Sequence, residues 1–149
     1  MNPPYSGGCL CGAVRYRVTA APETLYACHC TDCQRRGGTA FALSLVVRRD
    51  SVQWTGETVL NVTKLADGRI KQSRICVKCA TRLWGESVRN PAFAIVQPGT
   101  LDDTSWLRPV AHIWTRSAQP WVQLPADAVK FETQPPETWK VLFKLWRER

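Results

Sequence analysis

Seven cysteines fall in three tight clusters, Cys9-Leu10-Cys11, Cys28-His29-Cys30-Thr31-Asp32-Cys33 and Cys76-Val77-Lys78-Cys79, and no other feature constrains the fold as strongly. Short-spaced cysteine pairs let one tight turn aim two sulfurs at a single ion about 2.3 Å away, the usual construction of a zinc thiolate site. The outer pairs, Cys9, Cys11, Cys76 and Cys79, can close a four-thiolate tetrahedron. The middle cluster offers three thiolates, Cys28, Cys30 and Cys33, and leaves a fourth position for water or substrate. Closed zinc sites are structural, whereas open ones can do chemistry. The pattern therefore predicts two zinc ions per chain with unequal roles.

A disulfide framework is the rival reading, and three features weigh against it. The cysteine count is odd, which would strand one thiol. Residues two apart in an extended segment point the same way without favouring a bridge to each other. The N-terminal residues Met1-Asn2-Pro3-Pro4-Tyr5-Ser6 show no basic leader followed by an apolar run, so a reducing, cytoplasmic location is expected.

A chain of 149 residues with 44% hydrophobic and 21% charged residues suits one soluble domain over 1–149. No segment approaches the roughly 20 apolar residues that span a bilayer. The formal charge is +8, from 20 basic and 12 acidic residues. Seven thiolates and two zinc ions would bring it to about +5, since metal ligation deprotonates the cysteines. Arg35, Arg36, Arg48, Arg49, Arg74, Lys78 and Arg82 lie near the clusters in sequence. They offset the thiolate charge, and they could receive an anionic ligand, although a solvated basic face is the commoner role.

The local patterns predict a mostly β domain with a short C-terminal α-helix. Residues Ala13 to Thr19 alternate apolar and polar, the period of a half-buried strand, and Ala40 to Val47 is a short apolar run. Thr58 to Leu65 and Ile70 to Ile75 flank Ala66-Asp67-Gly68-Arg69, a hairpin signal. Phe93 to Gln97 stops at Pro98-Gly99, and Val110 to Thr115 makes a further strand. Thr31 and Gln34 form a capping-box pattern, with Gly37-Gly38 as terminator, which places Cys33 in a first helical turn that favours a thiolate. Trp139, Leu142, Phe143 and Trp146 repeat at helical spacing after Pro135-Pro136. Such a basic amphipathic helix can meet a membrane or a partner, but docking on its own domain is the expected outcome.

Of the two histidines, His29 sits between Cys28 and Cys30, so in an extended segment its ring turns away from theirs. His112 lies on the Val110 to Thr115 strand. Either could complete the three-cysteine site, and the favoured reading of both is structural. Most of the seven tryptophans are expected in the core, with one or two available to wall the open site.

The stretch Gly7-Gly8-Cys9-Leu10-Cys11-Gly12-Ala13-Val14-Arg15-Tyr16, the stretch from Cys28 to Gly38, and Cys76-Val77-Lys78-Cys79 together resemble the glutathione-dependent formaldehyde-activating enzyme family, which also includes centromere protein V. Gly99-Thr100-Leu101-Asp102-Asp103, His112-Ile113-Trp114 and Pro120-Trp121 extend the resemblance, which runs from about residue 7 to residue 132. It implies a β-tent fold pinned by zinc. It also implies a structural zinc on Cys9, Cys11, Cys76 and Cys79 and a catalytic zinc on Cys28, Cys30 and Cys33. Ala80 departs from the family's usual glycine after the last cysteine pair, and an altered turn is expected there.

The activity so implied is a carbon-sulfur lyase resembling S-(hydroxymethyl)glutathione synthase, with a small thiol such as glutathione and an aldehyde such as formaldehyde as partners. At an open thiolate-rich zinc, taking up a substrate thiol is favoured over polarising the aldehyde, because three thiolates already donate much charge. Arg35 and Arg36 are candidate attractors for substrate carboxylates. The alternative is a non-catalytic zinc-stabilised binding module for an acidic partner, either nucleic acid or an acidic protein surface. No long basic tail or aromatic stacking platform supports nucleic acid.

Overall fold

A computed structural model describes residues 2–149; Met1, where the expected domain begins, lies outside them. The strands are β1 (Tyr5–Gly8), β2 (Arg15–Val18), β3 (Thr24–Cys28), β4 (Ala42–Arg48), β5 (Val52–Thr55), β6 (Thr58–Lys64), β7 (Ile70–Cys76), β8 (Arg82–Glu86), β9 (Phe93–Val96), β10 (His112–Ile113) and β11 (Lys130–Phe131). Two helices, α1 (Thr31–Gly37) and α2 (Thr138–Arg147), complete the regular structure with three short 3-10 turns. The class is mostly β with a C-terminal helix, as the patterning predicts. No helix among the described residues is long and apolar enough to cross a membrane.

The described residues divide into two compact units, 2–22 with Leu45–Trp106 and Glu23–Ser44 with Leu107–Arg149. In the first, β1, β2 and β5 form an antiparallel sheet in which Val18 faces Tyr5 on one side and Val52 on the other. The segment Leu45–Arg48 of β4 begins an antiparallel succession through β9, β8, β7 and β6. The inward residues of these strands, among them Tyr16, Val18, Leu45, Val47, Leu83, Trp84 and Val96, are almost completely buried, as is Val14 just before β2. Each such large side chain contributes roughly 1.5–3 kcal/mol of hydrophobic stabilisation. Gly7 permits a close approach here: a Cβ at that position would lie 2.5 Å from both the Thr100 carbonyl oxygen and the Tyr16 ring. The Tyr16 hydroxyl and Thr100 Oγ1 are 2.7 Å apart across the same contact.

The second unit is built on β3, β10 and β11, which run parallel, with His112 in register with both Ala27 and Lys130. The Val110 to Thr115 expectation shortens to His112–Ile113 in strict strand geometry because Trp114 adopts φ 59°. Its backbone bonds extend further. Val110 N–H donates to Leu25 O (2.8 Å), and Ala27 and His29 N–H donate to Ala111 and Ile113 O (2.9 and 3.0 Å). On the other edge, His112 and Trp114 N–H donate to Val129 and Thr133 O.

Helix α2 docks in this unit through two of the four residues its spacing marks, while Trp139 and Phe143 are only half-buried. Leu142 and Trp146 are buried, and buried Thr24 donates its hydroxyl to the Leu142 carbonyl at 3.1 Å. Leu142 joins Cys28, Ala111 and Ile113 in an apolar cluster against which Trp114, Phe131 and Leu145 pack. The core expectation for tryptophan holds for Trp84 and Trp146, whereas Trp121 is 71% exposed and Trp54 is 37% exposed.

Candidate functional site

Cys9 and Cys11 occupy the turn between β1 and β2. Cys9 N–H donates to Val14 O, Gly12 N–H donates to Cys9 O, and Gly12 takes φ 75° to reverse the chain. Cys76 ends β7, and Cys79 lies in the turn before β8, closed by Ala80 N–H donating to Cys76 O and Cys76 N–H to Thr81 O, both at 3.0 Å. Thr81 ties the turns together: its Oγ1 accepts the Leu10 N–H at 3.1 Å and lies 3.1 Å from Cys79 Sγ. Nothing local in the sequence marks Thr81, because Leu10 lies 71 positions away.

The four sulfurs of Cys9, Cys11, Cys76 and Cys79 lie within 4.8 Å of one another. Cys9 and Cys11 Sγ are 3.5 Å apart, and Cys11 and Cys76 Sγ are 3.9 Å apart. Four thiolates tetrahedrally arranged about zinc at 2.3 Å stand about 3.8 Å from each other. A disulfide would bring two of them to about 2.05 Å, and all seven cysteines are free. The donor set and its spacing therefore fit a closed four-thiolate zinc site.

The protonation balance of this cluster points the same way. Burial opposes a charge on Cys9, but the Val14 N–H at 3.2 Å and the neighbouring Cys11 and Cys76 outweigh it and hold the thiol below its usual value. Cys79 is lowered to about 5, chiefly by the Thr81 hydroxyl and then by backbone N–H groups. Cys11 receives the Ala13 N–H, which favours its thiolate, yet the adjacent Cys79 and Cys9 sulfurs push it up to about 11. Thiolates this close cannot all form without a cation between them, and a divalent metal would supply that charge.

The second cluster sits in the other unit. β3 ends at Cys28, Cys30 stands at the N-cap of α1 in extended conformation (φ −65°, ψ 151°), and Cys33 lies in the first helical turn. The three sulfurs lie within 4.8 Å of one another and could hold a metal ion. Cys28 is raised far above its ordinary range by the Cys30 and Cys33 sulfurs and by burial, again the mark of thiols packed too closely to ionise without a cation. Three sulfurs leave one position of a tetrahedral ion to be supplied from elsewhere.

The local capping differs from the sequence pattern. Thr31 is the first helical residue rather than the cap, and Cys30 makes no side-chain capping bond. Gln34 turns away from the box and donates its Nε2 to His29 O at 2.7 Å and Ser117 O at 2.8 Å, while its Oε1 accepts from Gln119. Gly38 ends the helix at φ 61°, as expected of a glycine terminator. Arg35 and Arg36 fall in the last turn, where cations complement the helix dipole. That gives both arginines a structural reason to be there beside any contact with substrate.

Neither histidine joins the sulfur cluster. His29 is fully buried, and its Nε2 lies 3.0 Å from Nδ1 of buried His112. Burial, with the neighbouring His112 for His29 and Lys130 for His112, keeps both imidazoles below their ordinary pKa. The structural reading of the pair is the one their contacts support.

Residues 4–117 match the family model described as glutathione-dependent formaldehyde-activating enzyme. A Halomonas elongata protein that carries the same enzyme name is 29% identical over 126 residues, 79% of each chain. Among solved structures, the crystal structure of a Rhodobacter sphaeroides protein superposes with a TM-score of 0.53 at 19% identity, covering 85% of this chain and 98% of that one. At that identity the likeness concerns the fold alone.

Proposed function

Because the chain belongs to the glutathione-dependent formaldehyde-activating enzyme family, we propose that it is a zinc-dependent carbon-sulfur lyase acting on a thiol–aldehyde adduct, with glutathione and formaldehyde as its first substrate pair. The observation that carries this reading is the convergence of Cys28, Cys30 and Cys33, three sulfurs without a fourth protein ligand among the described residues. Cys9, Cys11, Cys76 and Cys79 hold the structural ion in this account, and the three-cysteine cluster holds the catalytic one. Zinc at the latter would supply an open position able to lower the pKa of a substrate thiol.

The chain's own residues shape that position. Cys28 and Cys30 come from one extended ribbon and Cys33 from the first turn of α1, so the three sulfurs are fixed by backbone rather than by long flexible side chains. Cys28 packs with Ala111, Ile113 and Leu142, and half-buried Cys30 and Cys33 lie against the same apolar cluster, which limits water on that side of the sulfurs and strengthens electrostatic interactions there. Arg35 offers a cation for a substrate carboxylate. In the reaction itself the thiol sulfur bonds to the carbonyl carbon and the thiol proton ends on the former carbonyl oxygen. The reverse direction breaks the same C–S bond and returns both reactants.

Exchange NMR on a glutathione and formaldehyde mixture tests the proposal. The zinc-loaded protein should accelerate interconversion of formaldehyde and S-hydroxymethylglutathione over the uncatalysed rate, and Cys28→Ser should return it to background. Absence of acceleration by fully loaded wild type, across small thiols and aldehydes, would favour a zinc-stabilised binding module instead.

A further inference from the structure

The residue between the first two cysteines of the proposed catalytic site is held by an unusual number of contacts. His29 N–H donates to Ile113 O at 3.0 Å. Its carbonyl accepts both Gln34 Nε2 at 2.7 Å and Ser117 Oγ at 3.1 Å. Its ring lies against Phe41, with centroids 5.1 Å apart, and meets the His112 ring edge to edge, within 28° of coplanar and with centroids 5.3 Å apart. The Nε2 to Nδ1 bond between the two imidazoles closes the arrangement at 3.0 Å. A turn of this length could be held by its backbone alone, so the buried bond between two titratable rings calls for another reason.

Only one proton can sit between the two nitrogens, and its owner follows from the rest of the site. His29 Nδ1 is buried with no hydrogen-bond partner among the described residues. Were His112 Nδ1–H the donor, neutral His29 would carry its own proton on Nδ1, leaving a buried donor unmet. An orphaned N–H is the costlier and rarer fault, whereas an unmet lone pair is better tolerated. His29 Nε2–H is therefore the donor, His112 Nδ1 the acceptor, and the remaining His112 proton lies on Nε2.

Side chains alternate along an extended ribbon, so a ring fixed on one side of residue 29 fixes the sulfurs of residues 28 and 30 on the other. We propose that His112 is a positioning residue for the three-cysteine site: by accepting the His29 Nε2–H it locks the Cys28-His29-Cys30 ribbon in rotation and keeps two of the three sulfurs converged on Cys33. This rests on the reading of Cys28, Cys30 and Cys33 as metal ligands. His112 acts from 83 positions beyond His29 in sequence and is not a member of the sulfur cluster. Outer groups that orient metal ligands typically change affinity by about 10–100-fold when removed, and the same scale applies here.

Two substitutions of His112 test the idea by metal binding rather than turnover. Asparagine can place an amide oxygen near the position of Nδ1 and accept the same proton; leucine cannot. In chelator competition on the two-zinc protein, His112→Leu should weaken the more labile ion by about 10–100-fold while the four-cysteine ion stays bound, and His112→Asn should recover most of that loss. Long-range ¹H–¹⁵N spectra of the wild type should place the His29 proton on Nε2. A His112→Leu protein that keeps its fold and its second-ion affinity, or a His29 proton found on Nδ1, overturns the proposal. Should His112→Leu fail to fold, the asparagine variant and the wild-type tautomer still decide. Cys28→Ser separates the levels: if it retains both ions, the ligand reading itself is wrong, and if it loses one while His112→Leu does not, only the positioning role is.

Discussion

Ala80 donates its N–H to the Cys76 carbonyl at 3.0 Å while its own backbone sits at φ 57°. The turn that carries Cys79 thus keeps a left-handed residue even though alanine occupies the place. For an L-residue that conformation costs roughly 1–2 kcal/mol, whereas glycine's extra freedom in the unfolded chain costs about 0.5–1 kcal/mol. Ala80→Gly should therefore stabilise the protein by about 0.5–1 kcal/mol, visible as a higher thermal midpoint with metal content unchanged. A lower midpoint would show that the turn is not strained.

The two cysteine clusters should respond differently to loss of one ligand. Cys11 and Cys76 lie 65 positions apart, so an ion joining them restricts a long loop, worth about 4 kcal/mol if the chain-entropy estimate for disulfides applies. Cys33 closes only a local loop with Cys28. Cys76→Ser should unfold the protein or leave it insoluble, while Cys33→Ser should keep a native far-UV and near-UV spectrum. Equal damage from both would remove the distinction between a structural and an open site.

Glu86 accepts from Arg74 Nε at 3.1 Å and from Arg49 at 3.3 Å, with the Trp84 indole 3.4 Å away. Burial opposes its charge, yet the two guanidiniums outweigh it and hold the carboxyl below its ordinary value. Such a carboxylate stabilises the fold above the unfolded value near 4.5 and loses that contribution as pH falls through the folded one. Glu86→Gln should cost about 1 kcal/mol at pH 7, the difference between charged and neutral hydrogen bonding. In urea titrations the gap from wild type should close as the pH drops below the unfolded value and through the lower folded one; a gap independent of pH would mean that shape, not charge, matters at this position.

Helix α2 is anchored through Leu142 and Trp146. Leu142→Ala should lower stability by about 3 kcal/mol, the usual cost of a buried leucine truncation, and removal of residues 136–149 should expose apolar surface to a hydrophobic dye. If truncation leaves thermal stability untouched and abolishes binding to lipid vesicles, the helix serves an interaction rather than its own fold.

The parts legible in the sequence are those whose determinants are local. The cysteine spacing needs only a few residues to declare itself. The β6–β7 hairpin was equally plain, since Asp67-Gly68 supplies a Gly68 φ of 83° and an Asp67 carboxylate that accepts the Arg69 N–H. Strands such as Val52–Thr55, Arg82–Glu86 and Lys130–Phe131 carry no alternation long enough to read, and they exist because distant partners supply their ladders. The Thr31–Gln34 pattern misled for the same reason. Gln34 finds Ser117, 83 positions on, a better partner than the helix start. The His29–His112 bond spans a similar distance and is likewise invisible before folding.

Native mass spectrometry of the reduced protein, purified without chelators, tests the division of seven cysteines into four and three most directly. The account predicts two zinc ions per chain for the wild type and one for Cys33→Ser. A wild-type mass with one zinc or none, or with the loss of hydrogens that marks disulfides, would contradict it.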